Sequence, residues 1–365
     1  MPDHTNPPDP RRRPVLRLAT ADGPLRDSYD VAMLDLDGVV YRGEDAIDHT
    51  AEALVDAAER GLRLAYVTNN AARTPADVVA KLRGLGMPTE DDSVVTSGQA
   101  AGRLVASLVP EGARVLVVGG AGLVEALEER GLVPVTSADD APAAVVQGFS
   151  PDLAWGQLAE GAYAVATGIP WVASNTDGSI PTPRGLAPGN GTLVAAVATA
   201  TGRAPEVAGK PYAPLFDETV LRVGGSRPLV VGDRLDTDIE GANNVGADSL
   251  LVFTGVADLD QVIAAPPHVR PTFLAPDLRG LALLQRPVSV EGADTARCGD
   301  QVVRCRAARL VVDGAPEPSD VQGAVDLLRA AVALSWHLLD EDDGASPDTV
   351  DAADVRDALE GWGVR

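Results

Sequence analysis

The sequence is poor in aromatic residues and in cysteine, and each shortage excludes a class of protein. Aromatic side chains make up 4% of the chain, so its cores must be built mainly from Val, Leu and Ala. Its two cysteines, Cys298 and Cys305, exclude a disulfide framework and a cysteine-rich zinc site. No apolar run reaches the length of a membrane span, and no apolar segment of a secretory signal follows the arginines at 11–13. We therefore expect a cytoplasmic protein.

Positive charge is also scarce. The chain has 30 Lys and Arg against 53 Asp and Glu, and its formal net charge is -23. Such acidity argues against nucleic acid and against membrane insertion or a membrane surface. A small anionic substrate stays open, because a site can be locally positive. A composition of 45% hydrophobic and 23% charged residues is typical of a globular protein.

The 365 residues are too many for one ordinary domain. Alternating strand and helix patterns predict a parallel sheet with right-handed crossovers, that is, an α/β fold. A second α/β unit of about a hundred residues interrupts the first, because a later strand again ends in an acidic motif. The predicted organisation is a disordered extension over 1–29, a first core part over 30–103, an inserted unit over 104–205, a second core part over 206–285 and a small α+β module over 286–365.

The strongest motif is Asp35-Leu36-Asp37-Gly38, which follows an all-apolar strand. Open parallel sheets place their ligand sites at the carboxyl ends of strands, and two neighbouring carboxylates favour a hard cation such as Mg²⁺. An EF-hand calcium loop is the alternative, but Val40 and Ala46 would occupy its glycine and glutamate positions. An ordinary acidic turn is a second alternative.

A second acidic motif, over 232–239, begins Gly232-Asp233 and also follows an apolar strand. Asp233 can complete a metal site with Asp35 and Asp37. Asp236 and Thr237 are expected to cap the helix that follows, and Asp238 to be a first-turn acid favoured by the helix dipole. Those structural roles do not account for Asp233.

Two weaker signals are candidates for holding phosphate. Thr68, Asn69 and Asn70 end the second strand, where hydroxyl, amide and main-chain N–H groups can bind an anion. Asn pairs are, however, also common in turns. Lys210 lies between Gly209 and Pro211, where it is either a fixed cation facing phosphate or a solvated surface charge.

In combination these motifs resemble the four motifs of the haloacid dehalogenase (HAD) superfamily, and in particular its NagD-like and p-nitrophenylphosphatase-like branch. The resemblance covers about residues 30–285, and the run over 232–247 is its most specific part. It implies a Rossmann-like core, and the insertion over 104–205 matches the large α/β cap domain of the branch. An acid at position 37 is typical of the phosphatases and phosphotransferases in the superfamily.

The resemblance also implies a mechanism. Asp35 would attack phosphorus and form an aspartyl phosphate, while Asp37 would act as general acid and base. Mg²⁺ would be held by the Asp35 side chain, the Asp37 main-chain carbonyl and Asp233. Asp238 would support the metal shell or orient Lys210. The equatorial phosphate oxygens would be held by Thr68, Asn69, Asn70 and Lys210.

Within the branch, the architecture is most similar to the glycerol-3-phosphate phosphatases of actinobacteria, which also have a short extra C-terminal module. The resemblance therefore implies a glycerol 3-phosphate substrate and a role in glycerol and phospholipid metabolism. A phosphoglycolate phosphatase, a broad p-nitrophenylphosphatase and a non-catalytic phosphometabolite sensor stay open, as do a monomer and a homodimer.

None of the four motifs contacts the leaving group, so we expect the inserted unit to select the substrate. Its long loop over 174–190 is rich in Gly and Pro, and long loops in compact domains are often functional. The candidate residues are Asn175 and Asp177 for hydroxyl groups and Arg184 for a carboxylate. A solvated connection is the alternative.

Overall fold

The computed structural model describes residues 18–182, 184–317, 319–341 and 350–365. Helices lie at Leu25–Ser28, Thr50–Glu59, Pro75–Gly84, Ser97–Leu108, Ala121–Glu128, Trp155–Ala166, Asn190–Thr201, Ala213–Val223, Glu240–Val245, Leu259–Ile263, Val321–Glu341 and Ala353–Leu359. Short 3₁₀ helices lie at Ala138–Asp140, Pro267–Val269, Leu278–Ala282 and Glu360–Trp362, and a π-helical turn at Leu235–Ile239. Among these described helices, none is both long and apolar enough to cross a membrane.

The largest sheet among the described residues is a six-stranded parallel sheet, here called the core sheet. Its strands in spatial order are Phe273–Ala275, Asp248–Val252, Pro228–Gly232, Val31–Leu34, Arg63–Thr68 and Val94–Thr96. The strands are largely apolar because both faces of the sheet are covered, and most of their residues are buried. The parallel α/β core predicted from the sequence is confirmed, and the carboxyl ends of all six strands meet at one edge.

A second parallel sheet, the inserted sheet, lies between the two parts of the core sheet in chain order. Its spatial order is Glu206–Val207, Trp171–Ala173, Ala144–Gln147, Arg114–Val118 and Val133–Val135. The edge strand at 206–207 belongs to this sheet, although the sequence assigned it to the second core part. The predicted boundary at 103/104 falls inside the helix Ser97–Leu108. The division into domains stays a prediction.

The residues after 285 form a four-stranded antiparallel sheet and a long helix. The strands are Val288–Glu291, Thr295–Cys298, Gln301–Arg306 and Arg309–Val312. The helix Val321–Glu341 packs against the core sheet, since Leu327 and Leu328 share an apolar cluster with Leu251 and Leu274. This α+β module therefore shares a hydrophobic core with the sheet that precedes it.

Residues 18–29 of the N-terminal extension are ordered. Residues 1–17 lie outside the described residues. The disorder predicted over 1–29 is wrong for 18–29, because Leu25–Ser28 forms a helical turn with Leu25 fully buried. The main-chain N–H of Ala19 donates to the carbonyl of Thr272, and Arg329 donates to the carbonyl of Ala19. The buried leucine and contacts such as these two hold a segment whose composition alone favours disorder.

Besides these sheets, the described residues form two separate two-stranded hairpins. The first, Tyr41–Arg42 with Asp45–Ala46, follows the Asp35–Gly38 motif. The second, Ser179–Thr182 with Gly185–Pro188, occupies much of the stretch over 174–190 that the sequence predicted as a loop.

Candidate active site

The two acidic motifs meet at the carboxyl edge of the core sheet. The strands Val31–Leu34 and Pro228–Gly232 are neighbours in parallel register, with Leu34 opposite Val231. The N–H of Asp35 continues this ladder by donating to the carbonyl of Val231 at 2.9 Å. Asp35 and Asp233 therefore emerge side by side although almost two hundred residues separate them.

Three carboxylates form a cluster there. Asp35, Asp233 and Asp238 each present an oxygen within 4.8 Å of the others. Asp233 and Asp238 are buried, and Asp35 is partly exposed. Oδ1 of Asp233 has no hydrogen-bond partner among the described residues, although it is buried. A buried carboxylate oxygen without a donor is costly, and hard oxygen ligands suit Mg²⁺. These three side chains could therefore hold a metal ion.

Lys210 supplies the positive charge of the cluster. Its Nζ atom donates to Oδ1 of Asp35 and lies 2.8 Å from Oδ1 of Asp238. The side chain is only 4% exposed. Burial lowers its pKa, but the attraction of Asp238 and Asp35 outweighs burial and leaves the pKa of Lys210 above its usual value. The side chain is thus a fixed ammonium group, and the alternative of a solvated surface charge is wrong.

Burial lowers the pKa of a lysine but raises the pKa of a carboxylic acid. It raises the pKa of Asp233 to about 7, with repulsion from Asp238 adding to the effect. Burial also raises the pKa of Asp35, although Lys210 opposes the shift. Both acids are therefore under pressure to take up a proton unless further positive charge arrives.

Glycines make room for these carboxylates. Gly38, at φ 91°, and Gly255 both face Asp233, and a Cβ at either position would collide with its carboxylate. Gly232 faces Asp238 in the same way. The N–H of Val256 donates to Oδ2 of Asp233 at 2.7 Å. The loop over 254–256 therefore fixes one oxygen of Asp233 and leaves the other free.

Asp37 lies beside the cluster rather than in it. Its side chain is exposed, and the three-carboxylate group contains Asp238 instead. Partial desolvation by the surrounding protein raises the pKa of Asp37, and the positive charges of Lys81 and Arg73 oppose that shift. A carboxyl group that faces solvent, with its pKa raised, is suited to exchanging protons with a ligand bound beside the three carboxylates.

The side chains of residues 68–70 have two different structural roles. Oγ1 of Thr68 accepts the N–H of Asn70, and Oδ1 of Asn70 accepts the N–H of Ala72, so both side chains shape the turn. Asn69 is bonded to the main chain of Lys210. Its Oδ1 accepts the Lys210 N–H at 2.8 Å, and its Nδ2 donates to the Lys210 carbonyl at 3.1 Å. Asn69 thus positions Lys210.

The inserted unit reaches this segment through two of its predicted residues. Nδ2 of Asn175 donates to the carbonyl of Asn69 at 2.6 Å, and Nδ2 of Asn69 donates to Oδ1 of Asp177 at 3.2 Å. Asn175 is buried, whereas Asp177 is half-buried with its pKa raised by burial. Arg184 is exposed at the turn of the second hairpin.

The capping roles predicted for Asp236 and Thr237 are wrong. The chain forms a π-helical turn at Leu235–Ile239 that has no side-chain cap. Asp236 instead pairs with the guanidinium of Arg234 through two hydrogen bonds, of 3.0 and 2.8 Å. The π turn buries Asp238, which allows it to reach Lys210.

Sequence reasoning missed the loop over 254–256 and Ser97. Thr254 donates its hydroxyl to the carbonyl of Gly38, and Ser97 donates to the carbonyl of Asn69. Both segments follow buried strands of the core sheet, at Asp248–Val252 and Val94–Thr96. Their position at the carboxyl edge was the signal that could have identified them.

The fold and the cluster of acids agree with a known family of enzymes. Residues 32–133 match the model of the haloacid dehalogenase-like hydrolases, and residues 207–281 match a HAD-hydrolase-like model. The D-glycerol 3-phosphate phosphatase of Mycobacterium tuberculosis is 39% identical over 344 residues, which are 93% of this chain and 96% of the relative. The chain belongs to the haloacid dehalogenase-like hydrolases. It is a phosphatase of that family, acting on a small phosphorylated substrate.

Two solved structures place it within the family. The glycerol phosphate phosphatase of Mycobacterium tuberculosis, in complex with magnesium, superposes with a TM-score of 0.77 at 36% identity, over 94% of this chain and 100% of that one. The p-nitrophenyl phosphatase of Archaeoglobus fulgidus gives a TM-score of 0.65 at 28% identity, over 70% of this chain and 98% of that one. The resemblance to the p-nitrophenylphosphatase-like branch is thereby confirmed.

Proposed function

We propose that this phosphatase hydrolyses glycerol 3-phosphate to glycerol and phosphate in a Mg²⁺-dependent reaction. The observation that carries the chemistry is the juxtaposition of Asp35, Asp233, Asp238 and Lys210 at one sheet edge. The substrate assignment is supported by the mycobacterial D-glycerol 3-phosphate phosphatase, which matches this chain almost from end to end.

Asp35 is the nucleophile in this proposal. One of its carboxylate oxygens bonds to phosphorus while the bond from phosphorus to the leaving oxygen breaks, which leaves an aspartyl phosphate. Asp37 donates its proton to the leaving glycerol oxygen. It then accepts a proton from the water that attacks phosphorus, and Asp35 is released with free phosphate. The raised pKa of Asp37 favours the protonated form that the first step requires.

Mg²⁺ would be held by the side chains of Asp35 and Asp233 and by the main-chain carbonyl of Asp37, with Asp238 supporting this shell. When bound, the ion supplies positive charge between the nucleophile and the phosphate. Oδ1 of Asp233, which is buried without a donor, is the ligand atom that most needs this charge.

Lys210 binds the transferring phosphate in the proposal, together with the main-chain and side-chain groups of Thr68 and Asn70. Asn69 acts at one remove, because both ends of its amide are bonded to the main chain of Lys210. Its role is to hold Lys210 in place. Lys210, Thr68 and Asn70 therefore bind the phosphate directly in this proposal. Asn69 contributes indirectly by holding Lys210.

Substrate selection is assigned to the inserted unit. Asp177 is half-buried beside Asn69 and is placed to accept a hydroxyl of the leaving group. Asn175 is buried and already donates to the Asn69 carbonyl, so it positions the loop instead of binding glycerol. Arg184 is exposed at the hairpin turn and would matter for a leaving group with a carboxylate.

We also propose a cytoplasmic location and a homodimer.

The experiment is a panel of phosphomonoesters with purified protein, Mg²⁺ and a phosphate-release assay. Glycerol 3-phosphate should give a kcat/KM at least about ten-fold above 2-phosphoglycolate and p-nitrophenyl phosphate, equivalent to about 1.4 kcal/mol of transition-state binding. A preference for 2-phosphoglycolate would move the assignment to the alternative in which Arg184 binds a carboxylate. Turnover of no phosphomonoester would favour the sensor.

The nucleophile is tested separately. Asp35→Asn should abolish turnover and leave the protein folded, because the amide has nearly the same shape but is a poor nucleophile. Residual steady-state activity well above background, with deamidation excluded by mass spectrometry, would overturn the assignment. Asp236→Asn is the matched control, since its carboxylate pairs with Arg234 on the surface.

A further inference from the structure

The loop over 254–256 holds Asp233 from one side and is itself held from the other. On the inner side, the Val256 N–H donates to Oδ2 of Asp233, and the Cα of Gly255 packs so close that no side chain would fit. The Thr254 hydroxyl donates to the carbonyl of Gly38 at 2.6 Å. Any movement of this loop therefore moves Asp233 and the turn after Asp37.

On the outer side, two main-chain carbonyls of the same loop accept hydrogen bonds from arginine side chains. Arg42, on the first hairpin, donates to the carbonyl of Thr254. Arg365 donates from Nη2 to the carbonyl of Gly255 at 2.9 Å. The loop forms part of the wall of an open cavity of about 720 Å³ between the core and the C-terminal residues.

Arg365 is well anchored for this task. Its main-chain oxygen accepts the N–H of Leu259 at 2.7 Å, and Leu259 is fully buried. Val364 is buried in the cluster that joins the C-terminal module to the core sheet. The guanidinium of Arg279 lies over the ring of Trp362, with its Cζ atom 5.3 Å from the ring centroid. The main chain of Arg365 is therefore held in place, while its side chain lies exposed at the surface.

We propose that Arg365 is a positioning residue for the metal site. By fixing the Gly255 carbonyl, it holds the loop that orients Asp233, and so it couples the C-terminal module to metal affinity. This inference rests on the proposed function, because it assumes that Asp233 binds Mg²⁺. It assigns the module a task in tuning the site without placing it in the chemistry.

The test is titration calorimetry of Mg²⁺ into the metal-free, substrate-free protein. Arg365→Ala should raise the Kd for Mg²⁺ about five-fold, because ion binding must then order the loop that the hydrogen bond to Gly255 held in place. A five-fold change corresponds to the net strength of about one ordinary hydrogen bond. Arg365→Lys should restore the Kd to within about two-fold, since an ammonium group can donate the same bond. Arg356→Ala is the matched control, because Arg356 also lies in the C-terminal module but pairs with Asp260 on the surface.

The melting temperature in EDTA distinguishes positioning from general loosening. We expect Arg365→Ala and Arg356→Ala to melt together in EDTA and to differ only in Mg²⁺ affinity. Equal Mg²⁺ affinities for wild type and Arg365→Ala would overturn this inference alone. So would an equal loss of affinity in both variants. Failure of the wild type to bind Mg²⁺ would overturn the proposed metal site together with it.

Discussion

The Nζ atom of Lys210 lies 2.8 Å from Oδ1 of Asp238, and both side chains are almost completely buried. The same Nζ atom donates to Asp35, so one ammonium group lies between two carboxylates. A buried charge without a partner is strongly unfavourable. This bridge therefore opposes the effect of burial, which raises the pKa of Asp35, and favours the carboxylate form that a nucleophile must have.

Replacing Lys210 by Met should lower kcat/KM by about 100-fold or more, the loss typical of removing one donor to a developing charge. The melting temperature in EDTA should fall as well, because Asp35 and Asp238 would be left to repel each other. Arg83→Met is the control, since Arg83 pairs with an exposed acid, Asp91. Near-normal kcat/KM in Lys210→Met would show that Lys210 does not contact phosphate.

Stabilisation by Mg²⁺ should depend on pH with a defined sign. The pKa of Asp233 is raised to about 7 from an ordinary value of 3.8. The folded apo-protein therefore holds this proton more tightly than the unfolded chain does, and apo stability should fall as pH rises from about 4 to about 7. Metal binding requires the charged carboxylate. The increase in melting temperature caused by Mg²⁺ should thus be larger at pH 8 than at pH 5.5.

Thermal unfolding at the two pH values, with Mg²⁺ and with EDTA, measures this difference. Asp233→Asn should remove the Mg²⁺-dependent increase at both values. An increase that is larger at pH 5.5 would contradict the assignment of Asp233 as a metal ligand. In turnover assays EDTA should abolish activity, Mg²⁺ should restore it, and Ca²⁺ should inhibit because its larger, looser shell spoils the geometry.

Asp177→Ala should lower kcat/KM for glycerol 3-phosphate by about ten-fold, equivalent to about 1.4 kcal/mol, by removing an acceptor for the leaving group. Activity on p-nitrophenyl phosphate should change little, since that leaving group has no hydroxyl to bind. Asn175→Ala should instead lower both activities, because it releases the carbonyl of Asn69 and so disturbs the segment that holds Lys210. Identical profiles for the two variants would show that the two residues do not have separate roles.

The C-terminal module should unfold together with the core. Leu328 is fully buried in the cluster that contains Leu251 and Leu274 of the core sheet. Leu328→Ala should lower the free energy of unfolding by about 2–5 kcal/mol in a single transition. Val290→Ala, at a position 36% exposed, is the control. A separate early transition in Leu328→Ala would show that the module folds independently.

Removing the module at about residue 286 should leave the four motifs in place, and any protein that folds should keep turnover at saturating Mg²⁺. The yield of folded protein should fall, because the truncation exposes Leu251 and Leu274. A well-folded truncated protein that has lost all turnover would place the module in the chemistry.

The sequence by itself determined the α/β core and the acids at its edge. Asp35 and Asp233 each follow a run of buried apolar residues, and a charged residue directly after such a strand can be recognised without knowing what lies beside it. The resemblance of the four motifs then indicated the family. The same local reasoning failed at Asp236 and Thr237, because a π turn replaced the expected helix start.

Only the tertiary structure decided which of these residues contact one another. Lys210 reaches Asp35 across 175 residues of chain, and Arg365 reaches Gly255 across 110. The sequence predicts Asn175 to be a polar group on a loop, yet it is buried against Asn69 of the core. Such contacts depend on the order of strands in the sheets and on how the inserted unit and the C-terminal module pack against them. Those are properties of the whole chain, because burial and hydrogen bonding between distant segments are settled only when all of them have folded together.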